Sequence, residues 1–243
     1  MKIPTLYGII DRRILINYIA DPVVAQKLLP YPLRPKLQNG KAIVGICLIR
    51  LKNIRPKGMP YFIGINSENA AHRFAVEWNE NGETKEGVFI PRRDTSSLIN
   101  ALAGGRVFPG KHHKAKFNVS EACGHYAISY TANDATFMNI EASEVDVFNP
   151  NSVFGNMETT SAFFKNGSIG FTPCNSGLDS VILHTYNWEV KPLEVTKVES
   201  SYFNDTNLFP KGSIKFDNAL LMQNIEHEWR SVTKPMFNDS NQI

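Results

Sequence analysis

Residues 70–78, AAHRFAVEW, alternate strictly: His72, Phe74, Val76 and Trp78 share one face, and Arg73, Ala75 and Glu77 share the other. A period of two marks a pleated strand, because successive side chains point to opposite sides of it. The turn NENG at 79–82 follows, and KEGVFIPR brings the chain back, so the pair reads as a β-hairpin. Strand-like runs recur on both sides: RILINYI (13–19), GKAIVGICLIRL (40–51), HYAISYTA (125–132), EASEVDVF (141–148), SIGFTP (168–173), SVILHTYNWEV (180–190), LEVTKVESSYF (193–203) and NALLMQNIEHEWRSV (218–232). The run at 40–51 is apolar on both faces and reads as a buried strand.

Two short helices are expected in the first half. Asp21 can cap one that starts at Pro22 and stops before Pro30. DTSSLINALAGG, 94–105, has capping residues at one end and glycines at the other. The pattern predicts a mostly β fold with minor helix, an antiparallel sheet that closes or nearly closes. No repeat, linker or composition shift divides the 243 residues, so one domain over 1–235 is expected, with a frayed tail at 236–243.

Composition narrows the function classes. The formal net charge is +3, and the basic residues are interleaved with acidic ones, which argues against a nucleic-acid partner. No run reaches the ~20 apolar residues of a membrane span, and Asp11, Arg12 and Arg13 interrupt the N-terminal apolar stretch that a signal peptide would need. Cys47, Cys123 and Cys174 stand far apart without CxxC spacing, which fits a reducing compartment, so the cytoplasm is expected. The six histidines show no HxH, HxxxH or HExxH spacing, so no metal site is expected. Neither GxSxG nor a glycine-rich phosphate loop occurs, and no cofactor is implied.

The stretch RVFPGKHHKAKF, 106–117, concentrates basic residues. In a strand His112 and His113 point apart and cannot share one ion. The same alternation puts Lys111, His113, Ala115 and Phe117 on one face and His112, Lys114 and Lys116 on the other. The first face carries the small and aromatic residues and is expected to point inward, with His113 at a pocket and His112 toward water. Lys111 at the strand's mouth has two readings. Desolvated, it would be a Schiff-base nucleophile; in the loop, it would reach to solvent. Arg73 likewise reads as a pocket group or as a surface partner of Glu77.

The segment INYIADPVVAQKLLPYPLRPKLQNGKAIVGICLIRLKNIRP, 16–56, resembles the opening of the acetoacetate decarboxylase-like superfamily, nearest its uncharacterised YqjF-like branch. AAHRFAVEW, SSLINALAGG and FPGKHHKAKF follow in the same order, and WEVKPLEV resembles a late Trp-x-x-x-Pro-Leu segment of that family. The likeness covers most of residues 13–200. It implies a β-cone or barrel-like sheet around a pocket, and an enzyme acting on a small carbonyl or carboxylate compound. Arg12 or Arg13 falls where the decarboxylases keep a pocket arginine; Arg13, Arg73 and His113 are the substrate-binding candidates and Lys111 the catalytic one.

The departures from the family are specific. In the decarboxylases a proline precedes two adjacent lysines, the first of which forms the Schiff base; here Pro109 is followed by Gly110, Lys111 and His112. The decarboxylases also place carboxylates in and after their second strand, whereas VGICLIRLKNIRPKGMPYF has none. The branch pattern sets an acidic residue four before its arginine, and Asn69 stands there before Arg73. Turnover of acetoacetate itself is therefore not expected. Two other readings stay open: a non-catalytic protein binding a small-molecule ligand, and a fold relative whose cavity is filled. A homo-oligomer is left open as well.

Overall fold

The structure, a computed structural model, describes residues 4–98, 110–174 and 177–232. Its first strand, β1 (Leu6–Ala20), contains the predicted RILINYI and extends it toward the N-terminus. Helix α1 (Pro22–Lys27) begins as expected: the Asp21 Oδ1 accepts from the amides of Val23 at 2.7 Å and Val24 at 3.3 Å. These bonds satisfy two of the donors that a helix start leaves open.

Two-residue strands β2 (Arg34–Pro35) and β3 (Leu37–Gln38) lead into β4 (Lys41–Pro56). The predicted hairpin is β5 (Ile65–Glu80) and β6 (Glu83–Thr95). Then come β7 (His112–Ala122), β8 (His125–Ala132) and β9 (Phe137–Glu144). After helix α2 (Met157–Lys165) follow β10 (Ile169–Cys174), β11 (Gly177–Thr185), β12 (Lys191–Ser200) and β13 (Ile214–Ser231).

The strands form one sheet in the order β11-β10-β6-β7-β8-β9-β12-β13-β1-β4-β5-β2. Pairing of β5 with β6 closes that order into a ring, and pairing of β11 with β13 lets the β10–β11 hairpin bridge the ring a second time. Most pairs are antiparallel, as expected; β6 meets both β7 and β10 in parallel.

Both faces of β1 and β4 are covered. Ile14, Ile16, Val44, Ile46 and Leu48 join the main core, with Phe74, Trp78, Ile128, Tyr130 and Ile140. Leu15, Cys47 and Leu51 join a second cluster with Leu220, Met222 and Ile225. This explains the non-alternating apolar run at 40–51. It also explains Gly45: a Cβ there would lie 2.2 Å from the Ile16 carbonyl oxygen, so only glycine lets β4 approach β1 so closely.

Two expectations about helices change. Asp94 and Thr95 end strand β6, where Asp94 is fully buried against Arg92, and Leu98 is the first helical residue described. The rest of the expected helix, from residue 99 on, lies outside the described residues, as does the tail at 236–243. Helix α2, in the second half of the chain, was not anticipated. Its signals are present: Asn156 caps the Thr159 amide at 2.8 Å, Glu158 lies in the first turn and Lys165 in the last.

Arg12 shares a face of β1 with Ile14 and is 1 % exposed. It binds Glu68 of β5 at 2.5 Å and Glu121 of β7 at 2.6 Å, and Arg50 of β4 binds the same two carboxylates at 2.5 and 2.9 Å. The network ties β7 to β1 and β4, which are not its neighbours in the ring.

Candidate functional site

Strand parity puts Arg13 on the face of β1 opposite Arg12. The same face of β4 carries Cys47, that of β5 carries Arg73, and that of β6 carries Arg93. These side chains line three adjoining chambers, each of which shares lining residues with the next. The outer chamber, about 370 Å³, is lined by Arg13, Leu15, Arg73, Phe164, Lys165 and Trp188 among others. An inner chamber of about 90 Å³ shares Arg13 and Arg73 with it and adds Cys47, Arg93 and Trp229. A far chamber of about 50 Å³ shares Arg93 and Trp229 with the inner one and reaches Asn69, Asp94 and His112.

Among the described residues, the hydrogen bonds of the three arginines reach no carboxylate, and the ionisable group they meet is the Cys47 thiol. Arg73 Nη2 donates to Asn17 Oδ1, and its guanidinium lies 4.8 Å from the centre of the Phe164 ring. Arg13 Nη2 donates to Cys47 Sγ at 3.6 Å. Arg93 Nη2 donates to Thr172 Oγ1 at 3.2 Å. The Nε of each is buried without a partner among the described residues. Among the described residues no carboxylate lines the outer or inner chamber. The one at the far chamber, Asp94, is committed to Arg92, whose Nη2 donates to it at 2.6 Å.

Asn17 does not act alone. Its amide donates to Asn218 Oδ1 at 2.7 Å; Asn218 in turn donates to Asp217 Oδ2 at 2.6 Å, as does the Ser152 hydroxyl at 2.6 Å. The chain of amides holds the Arg73 head in place and leads to a carboxylate two residues removed from it.

Electrostatics follow from this geometry. Burial lowers the pKa of Arg73; Cys47 acts against that and Arg13 adds to it. Burial lowers Arg93 to about 10. Burial would raise the Cys47 thiol, but Arg13 and Arg73 outweigh it and the net shift is downward. His112 is held at about 4 by burial and by Arg93, so it lines the far chamber as a neutral ring. Cationic groups taken out of water without an anion are costly, and guanidinium groups pair with carboxylates through parallel, charge-assisted hydrogen bonds. The arrangement is chemically suited to receive an anion.

The candidates from sequence divide. Arg13 and Arg73 come together in the cavity, and the one-residue ambiguity is resolved: Arg12 belongs to the ion-pair network and Arg13 to the chambers. Lys111 is exposed ahead of β7 and lines none of the chambers. The expectation for the histidine pair is reversed. His112 lines the far chamber, while His113 is 28 % exposed, with Nδ1 3.6 Å from Asp134 Oδ2. The parity itself was right: Ala115 is buried in the main core, Phe117 stacks on Tyr130 at 5.2 Å, and Lys116 is exposed. What differs is that this face meets a filled core, and the opposite one meets the cavity. Lys114 accordingly is partly buried and donates to the Ser96 carbonyl rather than pointing freely to water.

Cys47, Arg93, His112, Phe164 and Lys165 were missed as site residues. Arg93 had a usable signal: it sits in a strand beside an Arg92 that has its own acids, and adjacent strand residues must face opposite sides.

Residues 10–220 match the profile of DUF2071, described as "Uncharacterized conserved protein (COG2071)". No curated protein matches the chain in sequence. Among solved structures, acetoacetate decarboxylase from Legionella pneumophila is similar at 16% identity and TM-score 0.55, over 93% of this chain and 84% of that one. An acetoacetate decarboxylase-like enzyme from Sphingomonas wittichii shares 12% identity at TM-score 0.56, over 95% and 91%. The enduracididine biosynthesis enzyme MppR, complexed with pyruvate, shares 10% identity at TM-score 0.59, over 99% and 93%. At these identities the likeness establishes the acetoacetate decarboxylase-like fold.

Proposed function

The chain belongs to the DUF2071 family, and from that premise we propose that its arginine-lined cavity binds a small organic carboxylate. One observation carries the reading: Arg13, Arg73 and Arg93 converge on adjoining chambers whose outer and inner parts, among the described residues, are lined by no carboxylate. Two negative oxygens entering there would supply the missing counter-charge. The volume of the chambers speaks against a fold relative with a filled cavity. Pyruvate, the molecule present in the MppR structure, has the required chemistry: a carboxylate next to a carbonyl. The exposed position of Lys111 and the absence of a lysine pair speak against acetoacetate decarboxylation through that residue. Binding of a carboxylate at the arginines is the reading that needs no such amine.

Titration calorimetry tests it. Pyruvate is expected to bind, and its neutral amide, pyruvamide, to bind about tenfold more weakly or worse, since a charged hydrogen bond adds roughly 1.5–3 kcal/mol. Equal affinity for acid and amide would refute the proposal.

A further inference from the structure

We propose that Cys47 is the nucleophile of this cavity, a thiolate site for small anionic molecules that carry an electrophilic carbon beside the carboxylate, with a 2-oxo acid as the chemical class. The proposal deepens the carboxylate reading and rests on it.

The geometry comes first. Cys47 is 3 % exposed, and its sulfur lies at the inner chamber, where it accepts from Arg13 Nη2 at 3.6 Å. Arg73, also 3 % exposed and with an Nε that has no partner among the described residues, lines the same chamber, as does Arg93. A carboxylate held by these guanidinium groups would bring its adjacent carbon toward the sulfur. Gly45 and Ile49, the neighbours of Cys47 on that face of β4, bring no competing side-chain nucleophile. Among the described residues, the lysine that lines these chambers, Lys165, belongs to the outer one and is itself exposed.

The chemistry is that of a thiol with cationic neighbours. Burial opposes the thiolate, Arg13 and Arg73 favour it, and the cations prevail. In the proposed step a sulfur lone pair forms the C–S bond to the carbonyl carbon, and the π pair of C=O moves onto oxygen. That oxygen takes one proton, equal to the one the thiol gave up. The product is a hemithioketal; nothing is oxidised or reduced, and the addition is reversible. With iodoacetate the same sulfur forms a C–S bond, the C–I bond breaks, and iodide leaves with its electron pair.

Alkylation of the full-length wild-type chain tests the site, with Cys123, which is exposed, as internal reference. Iodoacetate and its neutral analogue iodoacetamide are compared by peptide mass spectrometry. The iodoacetate-to-iodoacetamide rate ratio is expected to be at least about tenfold higher at Cys47 than at Cys123, the factor of a single charge-assisted contact. Carbon NMR of pyruvate labelled at C2 supplies the second readout: a tetrahedral carbon signal, distinct from that of free pyruvate hydrate, in the wild type that disappears in folded Cys47→Ser. Equal ratios at the two cysteines, or bound pyruvate whose C2 stays trigonal, would overturn the proposal and leave the carboxylate reading standing. Failure of pyruvate to bind at all would overturn both.

Discussion

At the scale of single residues, the cavity is held together against its own electrostatics. Arg73 is buried, donates to a neutral amide and, among the described residues, meets no carboxylate. Replacing it with methionine, of similar length and apolar, removes an uncompensated charge from an apolar setting. Arg73→Met is therefore expected to stabilise the ligand-free protein by about 1 kcal/mol, roughly 2–4 °C in Tm for a chain of this size, while weakening carboxylate binding; thermal denaturation with and without pyruvate reads both. Buried histidines give a second residue-level expectation. His72 is held at about 3 by burial and Arg92, and His227 at about 4 by burial and Arg13. Both are neutral in the folded chain and protonate near 6.5 when it unfolds, so the unfolded chain binds more protons below that pH. Their contribution is complete above pH 6.5 and is lost as the pH falls toward 4, at roughly 1.4 kcal/mol per pH unit for each group. Urea midpoints measured across that range should fall with acidification, and less steeply in His72→Phe. Arg13 and Arg73 were legible in the sequence because a cation alternating with apolar residues in a strand has few places to point. His112 was not, because alternation alone points the face holding Phe117 inward, whereas in the ring both sides of β7 are partly covered.

Elements were legible where one periodicity governs them and obscure where packing decides. The β5–β6 hairpin and β8 follow their alternation. Strand β13 was visible only in part, since its 18 residues serve β12 at one end and β11 at the other. Helix α2 escaped notice because its threonines and phenylalanines are weak helix formers, and its stability comes from docking Phe163 against Phe154 at 5.2 Å. The run expected to stay a strand to Phe203 ends at Ser200, and the turns from Ser201 to Ser213 that follow are anchored in the main core by Phe203 and Phe209 at 2 % exposure each. Ion pairs between elements are invisible to local pattern altogether. Arg12→Met would leave Glu68 and Glu121 sharing Arg50 alone, and removing one partner of a buried pair costs roughly 3–5 kcal/mol. A loss near the lower end is expected, because both glutamates keep some exposure (16% and 22%); the shift in the urea midpoint at unchanged m-value measures it.

On the scale of the whole molecule, the ring of strands makes two different interiors from one sheet. One is filled by the aromatic and branched side chains of the main core; the other keeps adjoining chambers lined by Arg13, Cys47, Arg73 and Arg93. The closed, mostly β architecture follows from the count and alternation of strands, which is why it could be anticipated. The position of the cavity depends on which face of each strand stays unfilled, a property of the assembled ring and not of any segment. A crystal structure of the protein grown with pyruvate is the most direct test. The pyruvate carboxylate is expected within hydrogen-bond distance of Arg13 or Arg93 and of Arg73, with its carbonyl carbon toward Cys47. Empty inner and outer chambers at saturating pyruvate, or pyruvate bound only in the groove bordered by Asp146, Glu194 and Asp217, would contradict it.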